Sequence, residues 1–262
     1  MGGTTRLLLV RHGESVDNVA DAALSARGVL QARHLGAHLL ERPSPLVVPT
    51  HIFASDLQRA YQTAEAIRES FLAAGSDVPE VQRHGDIRET DFGSLEGLPW
   101  ANPAPAVVPD GWVHPETIEA ILLRINRFLE TSLFPVVQSH LGDGVDDVER
   151  AVVVVAHGAL IRQVVNALVT KFTSCNCPVL GLPHGYGTAG FHISWRNTGF
   201  FECLIEAATP ASLTTSPTAF PSGLKVTIQH MNCVDHLAGL TDAISSAKLD
   251  SKQKPIETSV PA

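Results

Sequence analysis

Long apolar runs are missing from this 262-residue chain, and no stretch of it approaches the length of a membrane span. The N-terminus, MGGTTRLLLV, puts Arg6 where a myristoylation signal on Gly2 wants Ser or Thr. Leu7 to Val10 is too short for the apolar core of a signal peptide and has no cleavage site after it. Cysteine is scarce, with four residues: Cys175, Cys177, Cys203 and Cys233. The first two are separated by one residue rather than two, so there is no CxxC pattern for zinc or redox work. Reduced cysteines in a cytoplasmic protein are the expectation. Basic residues are outnumbered, 19 against 27 acidic, for a net charge of −8. That balance excludes nucleic acid as the main partner, because a phosphate backbone needs a basic surface. It leaves room for a small anionic substrate, for which a few inward-pointing cations suffice. HExxH and other dense metal-ligand spacings are absent too.

What is present is a regular alternation of strands and helices. RLLLV, residues 6–10, and AVVVVA, residues 151–156, are apolar without alternation, as strands buried on both faces must be. His51 to Ala54 reads as another strand. Ser25 looks like a helix N-cap, with Gly28, Ala32, Leu35 and Leu39 following at helical spacing; Pro43, Pro45 and Pro49 end that helix. Ala60, Ala64, Ile67 and Phe71 mark a second helix. Ile118, Ile121, Leu122, Ile125 and Leu129 mark a third, and Ile161, Val164, Val165 and Leu168 a fourth. Phe200 to Ile205 and Lys225 to His230 look like a late strand pair. This pattern predicts an α/β protein with a mostly parallel sheet covered on both faces. With no repeat and no linker, one catalytic domain over residues 1–240 is expected. A mobile Pro/Ser/Thr-rich loop near 207–223 and a disordered polar tail from 241 to 262 are expected beside it.

The chemistry gathers at two strand ends. The first strand runs into Arg11-His12-Gly13-Glu14, and AVVVVA runs into His157-Gly158. Ligands of open α/β sheets bind at the carboxyl ends of such strands. One histidine there would be an ordinary loop residue; two at equivalent places, with Arg11 beside the first, point to a site. Arg11 would repel a cation, so no metal and no cofactor is expected.

The segments LLLVRHGES with Asn18, LSARGVLQARHLG, IFASDLQRAYQTA, IRETDFGSLEG and VVVVAHGALIR resemble, in order, the histidine phosphatase superfamily. The resemblance is to the branch of the phosphoglycerate mutases and fructose-2,6-bisphosphatases. It covers roughly residues 6 to 170. It implies a three-layer α/β/α sandwich of the phosphoglycerate mutase-like type. It also implies roles: His12 as nucleophile, Arg11, Arg59 and His157 gripping the phosphoryl oxygens, Glu89 as proton donor, and Asn18 lining the phosphate pocket. The chemistry agrees. Phosphoryl transfer needs positioning and charge stabilisation of an anionic transition state, and forked guanidinium groups match phosphate oxygens. His12 must attack as neutral imidazole, a form that neighbouring positive charge favours.

The expected activity is metal-independent hydrolysis of a small-molecule phosphomonoester through a phosphohistidine. A mutase that returns the phosphoryl group to a substrate is the alternative, and a protein-binding member of the fold with little catalysis is another. Segments 90–123 and 172–195, the expected pocket rim, contain no Lys or Arg. A substrate whose remainder is neutral or apolar is therefore expected, unless a more distant cation such as Arg27 supplies a second anchor. Asp56 reads as an N-cap, Glu14 as a loop cap, and His34 and His38 as a solvated helix face. His184 and Tyr186 read as solvent-loop residues.

Overall fold

The computed structural model describes residues 3–16, 21–42, 44, 46–96, 109–142, 148–174, 178–182, 190, 193–207 and 223–240. Asn18, Cys175, Cys177, His184, Tyr186, the loop 208–222 and the tail 241–262 lie outside the described residues. Strand β1 is Thr4–Arg11, β2 Pro49–Ser55, β3 Val81–His84, β4 Glu149–Ala156, β5 Val179–Leu180, β6 Phe200–Ala207 and β7 Leu224–Cys233. Helix α1 is Ala26–Glu41, α2 Gln58–Ala73, α3 Ile118–Phe128, α4 Phe134–Gly142 and α5 Gly158–Ser174. The seven strands form one sheet in the order β3-β2-β4-β1-β6-β7-β5, in which β6 alone runs against the others.

Pleating divides β1 and β4 between two cores. Leu7, Leu9, Val152 and Val154 meet residues of α3, α4 and α5, among them Ile125, Phe128, Val137, Ile161 and Val165. Leu8, Val10, Val153 and Val155 face the other way, onto Leu35 and Leu39 of α1 and Ile67 and Phe71 of α2. These are the three expected layers. Each fully buried aliphatic contributes roughly 1.5–3 kcal/mol by leaving water, so the two central strands anchor the fold.

Ser25 caps α1 by accepting from the Gly28 amide at 3.0 Å, as expected. Asp56 does not cap α2. Leu57 occupies that position, and the Asp56 carboxylate takes a forked pair of hydrogen bonds from Arg88, each 2.6 Å. On α3 the inward face is Ile121, Ile125 and Phe128, while Ile118 is exposed. His34 is exposed, but His38 is half-buried against the rings of Phe200 and His236.

Connections leave β1 and β4 in opposite directions. From β1 the chain passes through α1, on one face, to β2 beyond β4. From β4 it passes through α5, on the other face, to β5 at the far edge. The crevice between these two strand ends is where such sheets bind ligands.

Candidate functional site

His12 follows directly on β1, and its backbone is held from both sides. Its N–H donates to Ala156 at the end of β4, and its carbonyl accepts from Thr198 ahead of β6. The next amide, Gly13, donates to Thr63 on α2 at 3.0 Å. Gly13 and Gly28 pack backbone to backbone. A Cβ at Gly13 would stand 2.6 Å from the Gly28 carbonyl oxygen, and one at Gly28 would stand 2.0 Å from that of Glu14. Glu14 accepts from the Ser25 hydroxyl and reaches Arg27 at 3.7 Å, which fits the loop-capping expectation.

The side chain of His12 is fixed equally firmly. Nδ1–H donates to the Gly13 carbonyl at 2.6 Å, and Nε2 accepts from Arg59 Nε at 3.2 Å. This network sets the tautomer, with the proton on Nδ1 and the lone pair on Nε2. Burial first, then the Arg59 charge, holds the imidazole pKa down at about 3, with Arg11 adding to the effect and the Gly13 bond opposing it. The neutral form expected from the neighbouring cations is present, although desolvation is the larger cause.

His157 lies across the crevice, its ring centroid 5.0 Å from that of His12. It is fully buried, and Nε2 is hydrogen-bonded to the Ser55 hydroxyl at 2.9 Å. That hydroxyl also accepts from the Leu57 amide at 3.3 Å. Burial, followed by His12, Arg59 and Arg11, pushes the His157 pKa well below its ordinary value. Arg11, at the end of β1, donates from Nη1 to the Trp195 carbonyl. Two buried nitrogens at this site, Arg11 Nε and His157 Nδ1, have no hydrogen-bond partner among the described residues. Orphaned buried polar groups are rare and call for an explanation; an anion that accepts hydrogen bonds would supply one.

Arg59 enters from the first turn of α2, and Glu89 from the turn after β3. Burial weighs against both guanidinium charges, while the Glu89 carboxylate supports both. Glu89 is half-buried, with Oε1 accepting from the Thr90 amide at 3.0 Å. The structure thus brings together His12, Arg11, Arg59, His157 and Glu89 from four strand ends; Asn18 lies outside the described residues.

Sequence reasoning passed over Ser55, Thr63, Trp195, Arg196 and Arg124. Ser55 could have been found, since it ends a buried strand as Arg11 and Ala156 do. Arg196 and Arg124 each stand one residue beyond a rim segment that lacks cations. Beside Arg11, on the β6 side, a cavity of about 340 Å³ is lined by Arg27, Arg196, Glu14, Trp195 and Leu237 among others. No group of three or more metal-ligating side chains occurs among the described residues, and no described helix is long and apolar enough to cross a membrane.

A two-histidine, two-arginine crevice at the carboxyl edge of a mostly parallel sheet defines a class of phosphoryl-handling proteins. The profile of the histidine phosphatase superfamily (branch 1) matches residues 7–175, and the chain belongs to that family. It is 32% identical over 208 residues to fructose-2,6-bisphosphatase TIGAR B of Danio rerio, covering 66% of this chain and 77% of that one. Over 176 residues it is 30% identical to the uncharacterized phosphatase PhoE of Bacillus subtilis, covering 64% and 78%. A mycobacterial glucosyl-3-phosphoglycerate phosphatase superposes with a TM-score of 0.56 at 25% identity, covering 88% of this chain and 99% of its own. A phosphoglycerate mutase from Bacillus anthracis shares the fold, with a TM-score of 0.57 at 18% identity, over 90% and 96%. Members of the family are hydrolases or phosphotransferases.

Proposed function

We propose that this protein is a metal-independent phosphatase that hydrolyses a small-molecule phosphomonoester through a phosphohistidine on His12 Nε2. The observation that carries the reading is the lone pair on that nitrogen, beside two buried donors with no partner among the described residues. In the first step the Nε2–P bond forms as the bond from phosphorus to the leaving oxygen breaks. Arg59, which donates to Nε2 in the free protein, turns its N–H groups to the phosphoryl oxygens, together with Arg11 and His157 Nδ1–H. Such preset donors stabilise charge where it develops, with little reorganisation. Glu89 gives its proton to the leaving oxygen. In the second step water attacks phosphorus as the Nε2–P bond breaks and its electron pair returns to the imidazole, Glu89 takes the water proton, and inorganic phosphate departs. Asn18 is assigned to the phosphate pocket on the family resemblance.

The test is the dependence on leaving group. Glu89→Gln is expected to slow alkyl phosphates by ~10²–10⁴-fold, the usual range for general-acid help, and aryl phosphates far less. Equal losses on both kinds of ester would remove Glu89 as the proton donor.

The substrate itself is read from the rim. Residues 109–123 present Trp112, Val113 and Ile118 without a cation, the last two exposed. An anionic group left there unpaired would be poorly bound. A monophosphate with a neutral or apolar remainder is therefore expected to surpass phosphoglycerates and sugar bisphosphates in kcat/KM. A tenfold or greater preference for the doubly anionic compounds would instead assign Arg27 and Arg196, at the cavity beside Arg11, as the second anchor.

A further inference from the structure

We propose that Arg124, through its ion pair with Glu116, is a positioning residue that holds the turn carrying Glu89 in place for proton transfer. This rests on the role of Glu89 given above. Arg124 lies on α3, and only 12% of its side chain is exposed. Its Nε and Nη2 donate to the two carboxylate oxygens of Glu116 at 2.7 and 2.9 Å. Its Nη1 donates to the carbonyls of Asp86 and Arg88 at 2.8 and 2.7 Å, and Nη2 also reaches the Glu89 carbonyl at 3.4 Å. A guanidinium has five N–H groups. All five are directed at protein acceptors, so none is left for a substrate oxygen. Arg124 is therefore assigned to positioning and not to phosphate binding.

Glu116 closes the clamp from the other side of Glu89. Its amide donates to the Asp91 carbonyl at 2.7 Å, and its carboxylate accepts from the Asp91 amide at 3.4 Å. Backbone groups of residues 86, 88, 89 and 91 are thus tied to one ion pair. Among the described residues the Glu89 side chain has no comparable support, since it accepts only from the amide of the adjacent Thr90. Side chains brace the ends of the turn further out. Arg127 pairs with Asp86, and Arg88 pairs with Asp56, which follows the Ser55 that holds His157. Proton transfer needs the acid within hydrogen-bond reach of the leaving oxygen. A displacement of about 1 Å can cost on the order of 100-fold.

The experiment compares Arg124→Met, Arg124→Lys and Glu116→Gln with Glu89→Gln and with the double variant Arg124→Met/Glu89→Gln. Each is assayed with an aryl and an alkyl phosphate. The expected result for the clamp variants is a loss of about 30- to 100-fold in kcat on the alkyl ester, with the aryl ester changed less than threefold. The double variant should be no slower on the alkyl ester than Glu89→Gln alone. If Arg124→Met fails to fold, Arg124→Lys and Glu116→Gln, which keep the volume and lose the fork, decide the matter by the same ratio. Equal losses on both esters in the folded clamp variants, or additive losses in the double variant, would overturn the proposal while leaving Glu89 as donor. Equal losses in Glu89→Gln itself would overturn the role of Glu89 and the clamp with it.

Discussion

His12→Ala is expected to abolish turnover and to leave no labelled protein when the reaction is quenched rapidly at alkaline pH, where phosphohistidine survives; wild-type protein under the same quench is expected to carry the label. The expected loss is on the order of 10⁴-fold or more, as when a covalent nucleophile is removed from an otherwise intact site. The structural reason lies in Nε2. Its lone pair faces Arg59 because Nδ1–H is committed to the Gly13 carbonyl, whereas Nε2 of His157, the other imidazole at the crevice, is engaged by the Ser55 hydroxyl. Because burial and Arg59 hold the imidazole near a pKa of about 3, the free protein keeps His12, the proposed nucleophile, unprotonated at pH 5. The acid limb of kcat/KM above pH 4 should then follow the substrate phosphate and not His12. Turnover at wild-type rate by the alanine variant, or stoichiometric label on it, would refute the covalent mechanism. The same depressed pKa has a stability cost. An unfolded histidine binds a proton below about pH 6.5, which the folded His12 refuses, so folding is progressively disfavoured from there down to about pH 3.

A second large effect is expected far from the crevice. Glu202 on β6 is 1% exposed and sits between two arginines. Arg42, at the end of α1, donates to it at 2.6 and 2.7 Å, and Arg6 on β1 donates at 2.8 Å. Burial raises the Glu202 pKa, but Arg42 and Arg6 outweigh it and hold the carboxyl below its ordinary range. Glu202→Ala strands two buried cations, although Arg6 keeps Glu149 as a partner. Removing one partner from such a group costs about 3–5 kcal/mol. For a domain of this size that is a fall of roughly 6–20 °C in Tm. The sign with pH follows: the contribution of Glu202 is present above its unfolded pKa and fades as pH falls through the lower folded one. A thermal scan at pH 7 checks the size. A shift under 2 °C would mean that the arginines find other partners or water.

The sequence was most informative where both periodicity and chemistry were local. β4 was legible because a run of valines has only one comfortable place, between two helical layers. The His-Gly pairs were legible because a strand end fixes where the next residue goes. β3, VQRH, was not: an edge strand with two exposed residues lacks both alternation and a continuous apolar run. α4 was hidden by Pro135, which has no N–H and reads as a helix stop. The chain instead runs on from α3 through a π-helical turn, Leu129–Leu133. Within the site, the parts that escaped are those that act by partnership over distance. Ser55 matters because of His157, Thr63 because of Gly13, and Arg124 because of a turn some 35 residues before it. Asp56 shows the reverse error. A plausible local cap was overridden by a distant arginine, since a forked charged pair is stronger than a single capping bond.

The contact of Gly13 with Gly28 sets bounds on how this protein can be remade. The loop bearing His12 meets α1 with no clearance, and a single methyl group at either glycine would collide with a carbonyl oxygen. Nothing on that side can be enlarged without dislodging the histidine, so a directed-evolution library placed there would return mainly inactive clones. Val113, Ile118 and Leu123 belong to the segment expected from the sequence to form the rim, and all three are exposed apolar side chains. Diversity introduced at those positions is the route by which substrate range would change while the reacting geometry is inherited intact.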